Sequence, residues 1–252
     1  MSIFVIGDLH LSQCPDTDKP MDVFGSRWFN HEERIRENWC RKVGPDDTVI
    51  IPGDISWGLK LEEAVYDLDW IEQLPGKKLL LKGNHDLWWT GITKLNKMYD
   101  SLHFLQYDSY VVEGICVCGT RGWITPDDDD FTEADEKVYK RELLRLEASL
   151  QDARAKAAEA AKASEIATAE TSETAPHMDI PLVCFLHFPP VSHANHYSGF
   201  MQLFEDYGVK EVYYGHIHGE DGFRTTIQGN HYGVEYKLIS ADYLNCDPLQ
   251  IR

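Results

Sequence analysis

Seven short apolar runs, set off by Gly, Pro or Asp, are the feature that most limits the fold of this chain. They are Ile3–Ile6, Thr48–Ile51, Leu79–Leu81, Tyr110–Val112, Ile115–Cys118, Leu182–Leu186 and Val212–Tyr214. Their hydrophobicity is nearly continuous, which is typical of strands buried on both faces. Between some of them, Glu32–Val43 and Leu61–Leu74 carry apolar residues at helical spacing. The alternation of strands and helices predicts a layered α/β fold.

The stretch from about 127 to 180 interrupts this pattern. A helix-forming segment, Thr132–Ala163, begins with a capping-box-like Thr-Glu-Ala-Asp and carries a short leucine stripe. We interpret Ser164–Ala175, rich in Ala, Ser, Thr and Glu, as a loop or linker. Strand patterns lie on both sides of the stretch. The sequence therefore predicts one domain over residues 1–252, with a helical insertion whose two alternative roles are a lid over the functional cleft and a homo-oligomer contact.

Charge and cysteine content narrow the possible partners and compartment. The chain has 42 acidic and 24 basic residues, a formal net charge of −18, which disfavours binding of long nucleic acid. No apolar run is long enough to cross a bilayer. The six cysteines form no CxxC pair, and we expect buried free thiols. These features predict a cytoplasmic protein without a membrane partner.

Chemically reactive side chains follow five of the predicted strands. The motifs are Gly7-Asp8-Leu9-His10, Gly53-Asp54, Gly83-Asn84-His85-Asp86, His187 and Gly215-His216-Ile217-His218. Ligands of α/β sheets bind outside the carboxyl ends of strands, so we expect the five motifs to meet in space. Residues two apart in an extended chain project to one side, so each Asp-x-His or His-x-His pair can aim both groups at one place.

The donor types indicate transition metals. Carboxylate, amide oxygen and imidazole together suit Mn, Fe or Zn better than Ca or Mg. Seven donors are too many for one such ion and suit two ions that share a bridging ligand. We predict two divalent ions, with manganese as the first choice and iron or zinc as alternatives.

The five motifs, taken together and in this order, resemble those of the calcineurin-like metallophosphoesterase superfamily: D-x-H, G-D, G-N-H-[ED], H and G-H-x-H. The elements Gly53–Gly58 (GDISWG) and Gly119–Trp123 (GTRGW) resemble a bacterial branch of it. The resemblance implies a four-layer α/β/β/α sandwich and a metal-dependent phosphoesterase for small phosphomonoesters or phosphodiesters.

The resemblance also implies roles for single residues. One metal would be held by Asp8, His10, Asp54 and His218, and the other by Asp54, Asn84, His187 and His216, with Asp54 bridging. A metal-bridging hydroxide would attack phosphorus, and the catalytic residues would be Asp54 and His85, the latter contacting a phosphoryl oxygen or the leaving group.

Three matters stay open at the level of sequence. Trp57 and Gly58 stand where the protein-phosphatase branch has an Asp-Arg pair, so His85 must be oriented by other groups. Candidate substrate contacts are Arg121, His193 and His196. A nuclease of the same superfamily, or a protein-binding scaffold with an idle metal site, are the alternatives to a small-molecule phosphoesterase.

Overall fold

The computed structural model describes residues 1–169, 180–193 and 196–252. The strands are β1 (Ile3–Val5), β2 (Thr48–Pro52), β3 (Lys77–Leu81), β4 (Leu102–Phe104), β5 (Tyr110–Val112), β6 (Ile115–Thr120), β7 (Leu182–Leu186), β8 (Glu211–Tyr214), β9 (Gly229–His231), β10 (Val234–Leu238) and β11 (Leu249–Gln250). The helices are α1 (His31–Lys42), α2 (Leu61–Glu72), α3 (Ile92–Leu95), α4 (Glu133–Ala169), α5 (Gly199–Asp206) and α6 (Gly219–Thr225). The seven strands and two regular helices predicted from sequence are confirmed, with ends that shift by at most two residues.

The strands form two sheets. The first has the order β11-β1-β2-β3-β4 and the second β5-β6-β7-β8-β10-β9. Pairing is parallel in the centre of both sheets, whereas β11, β5 and β9 join antiparallel at the edges. Central parallel strands require cover on both faces, which explains why their sequences lack polar alternation.

The four predicted layers are confirmed by the way the buried side chains are distributed. Within β1, Ile3 and Val5 lie in a cluster with Val117 and Phe185 of the second sheet, so this cluster is the core between the sheets. Phe4, which points to the opposite face, packs in a separate cluster with Trp39 of α1 and the first-sheet helices. A third cluster joins the outer face of the second sheet to α4 and α5. The fold is therefore an α/β/β/α sandwich.

Helix α4 connects β6 to β7, which are parallel neighbours in the second sheet. Leu146, Leu150 and Ala153 on this helix are fully buried in the outer core of that sheet. The predicted end at Ala163 was too early, since the helix continues to Ala169. The Ala-rich composition of this stretch explains the difference, because Ala has the highest helix propensity. The remainder of the predicted linker, 170–175, lies outside the described residues.

The sequence pattern missed four strands, of which β10 matters most for the site. Its burial alternates along Val234–Leu238, with Glu235 and Lys237 half-buried between buried apolar residues. A search for continuous apolar runs does not detect such a strand, although strict alternation is itself a strand signal.

Two further findings concern the cysteines and the lengths of the helices. All six cysteines are free; five are buried, and Cys40, which we expected to be buried, is exposed. Within the described part of the chain, no helix is both long and apolar enough to cross a membrane.

Candidate metal centre

The seven predicted donors, here called the donor cluster, come together where strands of both sheets end. Asp8 follows β1, Asp54 follows β2 and Asn84 follows β3, while His187 and His216 follow β7 and β8. Asp8 joins the two sheets, since its carboxylate accepts the backbone N–H of His216 at 3.0 Å. Gly215 permits this approach, because a Cβ at that position would overlap the Asp8 carboxylate.

One half of the donor cluster consists of Asp8, His10 and His218, whose ligand atoms lie within 4.8 Å of one another. The Nε2 atoms of His10 and His218 are 3.4 Å apart. His218 Nε2 also lies 3.9 Å from Asp8 Oδ1. Asp8 and His10 are buried, whereas the side chain of His218 is 31% exposed and forms part of the cleft wall.

The other half consists of Asp54, Asn84, His187 and His216. His187 Nε2 lies 2.6 Å from Asn84 Oδ1, 3.3 Å from Asp54 Oδ2 and 3.3 Å from His216 Nδ1. Asp54, His187 and His216 again have ligand atoms within 4.8 Å of one another. The His187 Nδ1 atom faces the carbonyl oxygen of Pro52 at 3.3 Å, which favours a proton on Nδ1 and directs Nε2 toward the other donors.

Asp54 lies between the two halves. Its Oδ2 atom is 3.3 Å from His187 Nε2 and 3.9 Å from His10 Nε2. Its Oδ1 atom accepts the backbone N–H of His85 at 2.8 Å. One oxygen therefore faces both groups of donors while the other fixes the orientation of the carboxylate.

Four members of the donor cluster have left-handed backbone conformations. The φ angles are 56° at Asp8, 46° at His10, 49° at Asp54 and 70° at His216. Such conformations cost roughly 1–3 kcal/mol each outside glycine and are concentrated at functional sites. The backbone is thus strained at the points where the predicted ligands are presented.

The carboxylates and imidazoles of the cluster perturb one another strongly. Burial raises the pKa of Asp8 to about 6, although His187 acts in the opposite direction. Burial also works against ionisation of Asp54, but His187, His10 and the backbone N–H of His85 together hold the pKa of Asp54 well below its usual range. Burial lowers the pKa of His216 to about 3, and the charge of His187 adds to this effect. Burial would likewise lower the pKa of His187, but the Asp54 and Asp8 carboxylates raise it to about 9. The two acids thus favour positive charge between them.

Asp242 is a supporting residue that sequence reasoning missed. Its buried carboxylate accepts from His218 Nδ1 at 2.9 Å and from the backbone N–H of Gly219 at 3.2 Å. A carboxylate on the second ring nitrogen is the usual way to orient a metal-binding histidine, because it leaves the Nε2 lone pair directed away from the partner. Asp242 comes four residues after β10. Its signal in the sequence was the alternating strand before it, which the search for continuous runs passed over.

His85 lies on the wall of the cleft, and its orientation has two sources. Its backbone N–H is bound to Asp54, and its ring packs against the ring of Trp57 with centroids 4.4 Å apart. Trp57 also stacks on His10 at 4.9 Å, so the tryptophan contacts both imidazoles. Trp57, one of the two residues that stand in place of the Asp-Arg pair of the protein-phosphatase branch, is therefore the residue that packs against His85.

Asp86 ties together the two loops that carry Asp54 and His85. Its buried carboxylate accepts the backbone N–H groups of Gly83 at 2.8 Å and Ile55 at 2.9 Å. Asp86 therefore binds backbone N–H groups of both loops in this structure.

The cleft beside the donor cluster has a volume of about 370 Å³. His85, His216 and His218 lie on its polar side, and Met21, Phe24, Trp28 and Trp57 form an apolar wall. Arg121, His193 and His196, predicted as substrate contacts, are not among its lining residues. His196 instead pairs with Asp127 at 2.7 Å, and Arg121 faces a different cavity. Substrate contact by these three residues stays a prediction.

The chemistry of the donor cluster fits a pair of divalent transition-metal ions. Imidazole nitrogen, carboxylate oxygen and an amide oxygen are all present, and the two halves each offer a compact set of ligand atoms. With only two carboxylates among the seven donors, two divalent ions would leave the site with net positive charge.

The chain is similar to a known protein family and to several known proteins. The family model of calcineurin-like phosphoesterases matches residues 1–220. The Gene 66 protein of Mycobacterium phage L5 is 45% identical over 56 residues, which are 22% of this chain and 27% of the phage protein. The Gene 66 protein of Mycobacterium phage D29 is 40% identical over 85 residues, which are 34% of this chain and 40% of the phage protein. The chain thus matches well under half the length of these curated relatives.

Two solved structures are similar at low identity. A protein of unknown function from Aquifex aeolicus, AQ665, is 14% identical with a TM-score of 0.47. The phosphopantetheinyl hydrolase PptH from Mycobacterium tuberculosis is 16% identical with a TM-score of 0.49. Each comparison covers 99% of this chain and 95% of the other, but such scores carry no conclusion about activity. Because the family model covers residues 1–220 of 252, the chain belongs to the calcineurin-like phosphoesterase family, and this membership supports a metal-dependent phosphohydrolase activity.

Proposed function

We propose that the chain is a dinuclear metal-dependent phosphohydrolase that hydrolyses small phosphomonoesters or phosphodiesters. Asp8, His10, Asp54 and His218 would hold one ion, and Asp54, Asn84, His187 and His216 the second. The observation that carries the proposal is the position of Asp54 Oδ2, which faces His10 at 3.9 Å and His187 at 3.3 Å.

Manganese is the ion we propose, with iron and zinc as alternatives, because the mixed nitrogen and oxygen donors suit all three. When bound, a pair of divalent ions lowers the pKa of a water molecule and neutralises negative charge on the phosphoryl group. The chain's own contribution is to hold the ligands in place. Asp86 fixes the two loops, Asp242 orients His218, and the backbone N–H of His85 orients Asp54.

His85 is the side chain we propose for contact with the phosphoryl oxygen or the leaving group. Its side chain is 43% exposed, its ring lines the cleft, and its Nε2 lies 4.0 Å from Asp54 Oδ2. Burial lowers the pKa of His85, which favours the neutral ring at pH 7. A neutral imidazole can donate a hydrogen bond to an anionic oxygen without holding a second full charge beside the ions.

The cleft supports a small substrate with an apolar part. Its volume of about 370 Å³ is in the range of small-molecule sites, and Phe24, Trp28 and Trp57 provide an apolar surface next to the histidines. An aromatic or aliphatic group attached to the phosphate would pack there. The net charge of −18 weighs against long nucleic acid as the substrate.

We also propose that residues 1–252 act as one domain and that the chain works in the cytoplasm. The one-domain proposal is supported by β6 and β7, which flank α4 and pair with each other in one sheet. Six free cysteines are typical of a reducing compartment. A homo-oligomer through the α4 region is a further proposal, supported by Leu144, which is 69% exposed on that helix.

The proposal can be tested by assaying p-nitrophenyl phosphate and bis-p-nitrophenyl phosphate with added manganese, together with metal analysis of the same samples. We expect activity in the wild type and nearly none in Asp54→Asn, because the amide cannot bridge two cations as a carboxylate does. Equal rates in both proteins would refute the proposal. Faster cleavage of single-stranded DNA or RNA than of the small esters would favour the nuclease alternative. A metal content of less than about one ion per chain would favour the protein-binding scaffold.

A further inference from the structure

A second cavity, of about 490 Å³, lies between the ends of β3 and β6 and the side of α4. We call it the cationic cavity, because Lys82, Arg121, Arg141 and Arg145 line it and Glu142 is the single acidic residue among its described lining residues. In a chain with 42 acidic and 24 basic residues, such an excess of positive charge is contrary to the overall composition. A cleft lined by one sign of charge concentrates ions of the opposite sign.

Two of the arginines are fixed in place by aromatic rings. The guanidinium of Arg121 lies over the ring of Trp123 at 4.4 Å, and that of Arg145 over the ring of Tyr107 at 4.7 Å. A stacked guanidinium keeps its in-plane N–H groups available for planar, two-pronged recognition of phosphate or carboxylate.

Glu142 organises these groups but neutralises only one of them. Its carboxylate is fully buried; Oε1 accepts from Arg145 at 2.6 Å and from Arg121 at 3.3 Å, while Oε2 accepts from Thr120 at 2.7 Å. A single cation would be enough to neutralise this carboxylate in a salt bridge with a purely structural role. Here two arginines share a single oxygen, and Lys82 and Arg141 face the same space.

Arg121 also has hydrogen-bonding capacity that the protein does not use. Its Nε atom is buried and has no hydrogen-bond partner among the described residues. Burial lowers the pKa of Arg121, and Arg141 and Arg145 act in the same direction, whereas Glu142 opposes them. The cations therefore repel one another, and a bound anion would relieve that repulsion.

From this geometry we infer that the cationic cavity is a second anion site, which binds a phosphate or pyrophosphate group of a small molecule. The ligand would be held by charged hydrogen bonds from the arginines and Lys82, with no need of a metal ion. The cationic cavity shares no described lining residue with the cleft beside the donor cluster. It is nevertheless adjacent, since the Arg121 carbonyl accepts the backbone N–H groups of His187 and Phe188 at 3.1 and 2.9 Å.

The inference can be tested by titration calorimetry at low salt. The experiment measures pyrophosphate binding to the full chain after a chelator has removed any metal. Stripping removes any competing affinity of the donor cluster, so the result does not depend on whether the chain is an active enzyme. We expect one site per chain, and binding about tenfold weaker in Arg145→Gln because a charged hydrogen-bonding group is lost. The exposed Arg141→Gln should also weaken binding, and it does not disturb the buried carboxylate.

Arg154→Gln is the matched control. Arg154 lies on the same helix and stacks on Tyr207 at 5.1 Å, as Arg145 stacks on Tyr107, but it does not line the cationic cavity. Its replacement should leave pyrophosphate affinity unchanged. The inference is overturned if the stripped protein does not bind pyrophosphate, or if all three variants bind it equally.

Kinetics on the manganese-loaded protein then identify the source of the anion. If it is a remote phosphate of the substrate, Arg145→Gln should raise KM for an alkyl bisphosphate more than KM for p-nitrophenyl phosphate. If it is a separate regulator, pyrophosphate should change kcat for p-nitrophenyl phosphate in the wild type but not in Arg145→Gln. Binding with neither kinetic effect would support the site and assign it to an anion outside the reaction.

Discussion

The donor cluster and the cationic cavity lie beside each other at the ends of neighbouring strands, yet they would attract an anion by different means. The donor cluster contains two carboxylates and four imidazoles, so its positive charge would have to come from bound ions. The cationic cavity carries its own positive charge on four basic side chains. Its described lining residues include one carboxylate and no imidazole. The comparison teaches that a net charge of −18 says little about where a small anion binds.

Metal removal should separate the two regions most strongly. Chelation should reduce hydrolysis of p-nitrophenyl phosphate by more than about 1,000-fold, since several kcal/mol of transition-state stabilisation depend on the ions. Added manganese should restore it. Pyrophosphate affinity of the stripped wild type should equal that of Asp54→Asn, as measured by calorimetry. A large difference between these two affinities would mean that the regions are not independent.

Leu146→Ala tests the packing of α4, on which the cationic cavity depends and the donor cluster does not. Leu146 is fully buried on α4, the helix that supplies Arg141, Glu142 and Arg145 to the cationic cavity but no member of the donor cluster. We expect a loss of about 2–5 kcal/mol in the free energy of unfolding, from lost burial and the cavity left behind. Urea denaturation measures it, and Lys137→Ala, at an exposed residue on the same helix, should change it by less than about 0.5 kcal/mol. Equal losses in both variants would argue against the packing of α4 described above.

His85→Ala should lower kcat for p-nitrophenyl phosphate about 100-fold, at the lower end of what loss of a positioned acid–base group costs. Metal content should stay unchanged, because His85 is outside the seven proposed ligands. His103→Ala, at a partly buried histidine of β4 that packs on Tyr110 of β5, is the control and should retain wild-type kcat. Loss of metal from His85→Ala would assign the residue to metal binding instead.

Asp242→Asn should have the smallest effect, about a tenfold loss of metal affinity, the size expected when the partner of a ligating histidine is removed. Competition with a metallochromic chelator measures it. Asp247→Asn removes a surface carboxylate that pairs with Lys42 at 2.7 Å, and it should not change metal affinity. Pyrophosphate binding should be the same in both variants, since neither residue lines the cationic cavity.

Much of the fold was predictable because parallel strands buried on both faces leave a continuous apolar signal. β7, at Leu182–Leu186, was predicted to the residue for this reason. The strands that escaped, such as β10 and the two-residue β11, are alternating or very short. Their place in the sheets is set by partners far away in the chain, which local patterns do not record.

The candidate site was predictable to the extent that its side chains follow strands. Asp8, Asp54, Asn84, His187 and His216 all stand just beyond a strand with a clear apolar signal. Asp242 was not predicted because the strand before it alternates between apolar and polar residues. The role of Trp57 was not predicted because its packing against two imidazoles depends on loops that follow different strands. The cationic cavity was not predicted for a similar reason, since Lys82 and Arg145 are far apart in sequence and line one cavity only in the folded chain.

The division of the Asp54 carboxylate has a consequence for how the protein would acquire its ions. One oxygen faces both groups of donors, so the two proposed ions would share it and their binding would be coupled. Each ion would then change the affinity for the other by the same factor. Because the other oxygen is already fixed by the backbone N–H of His85 and two divalent cations repel each other, we expect the second ion to bind more weakly, so that limiting manganese loads chains with a single ion first.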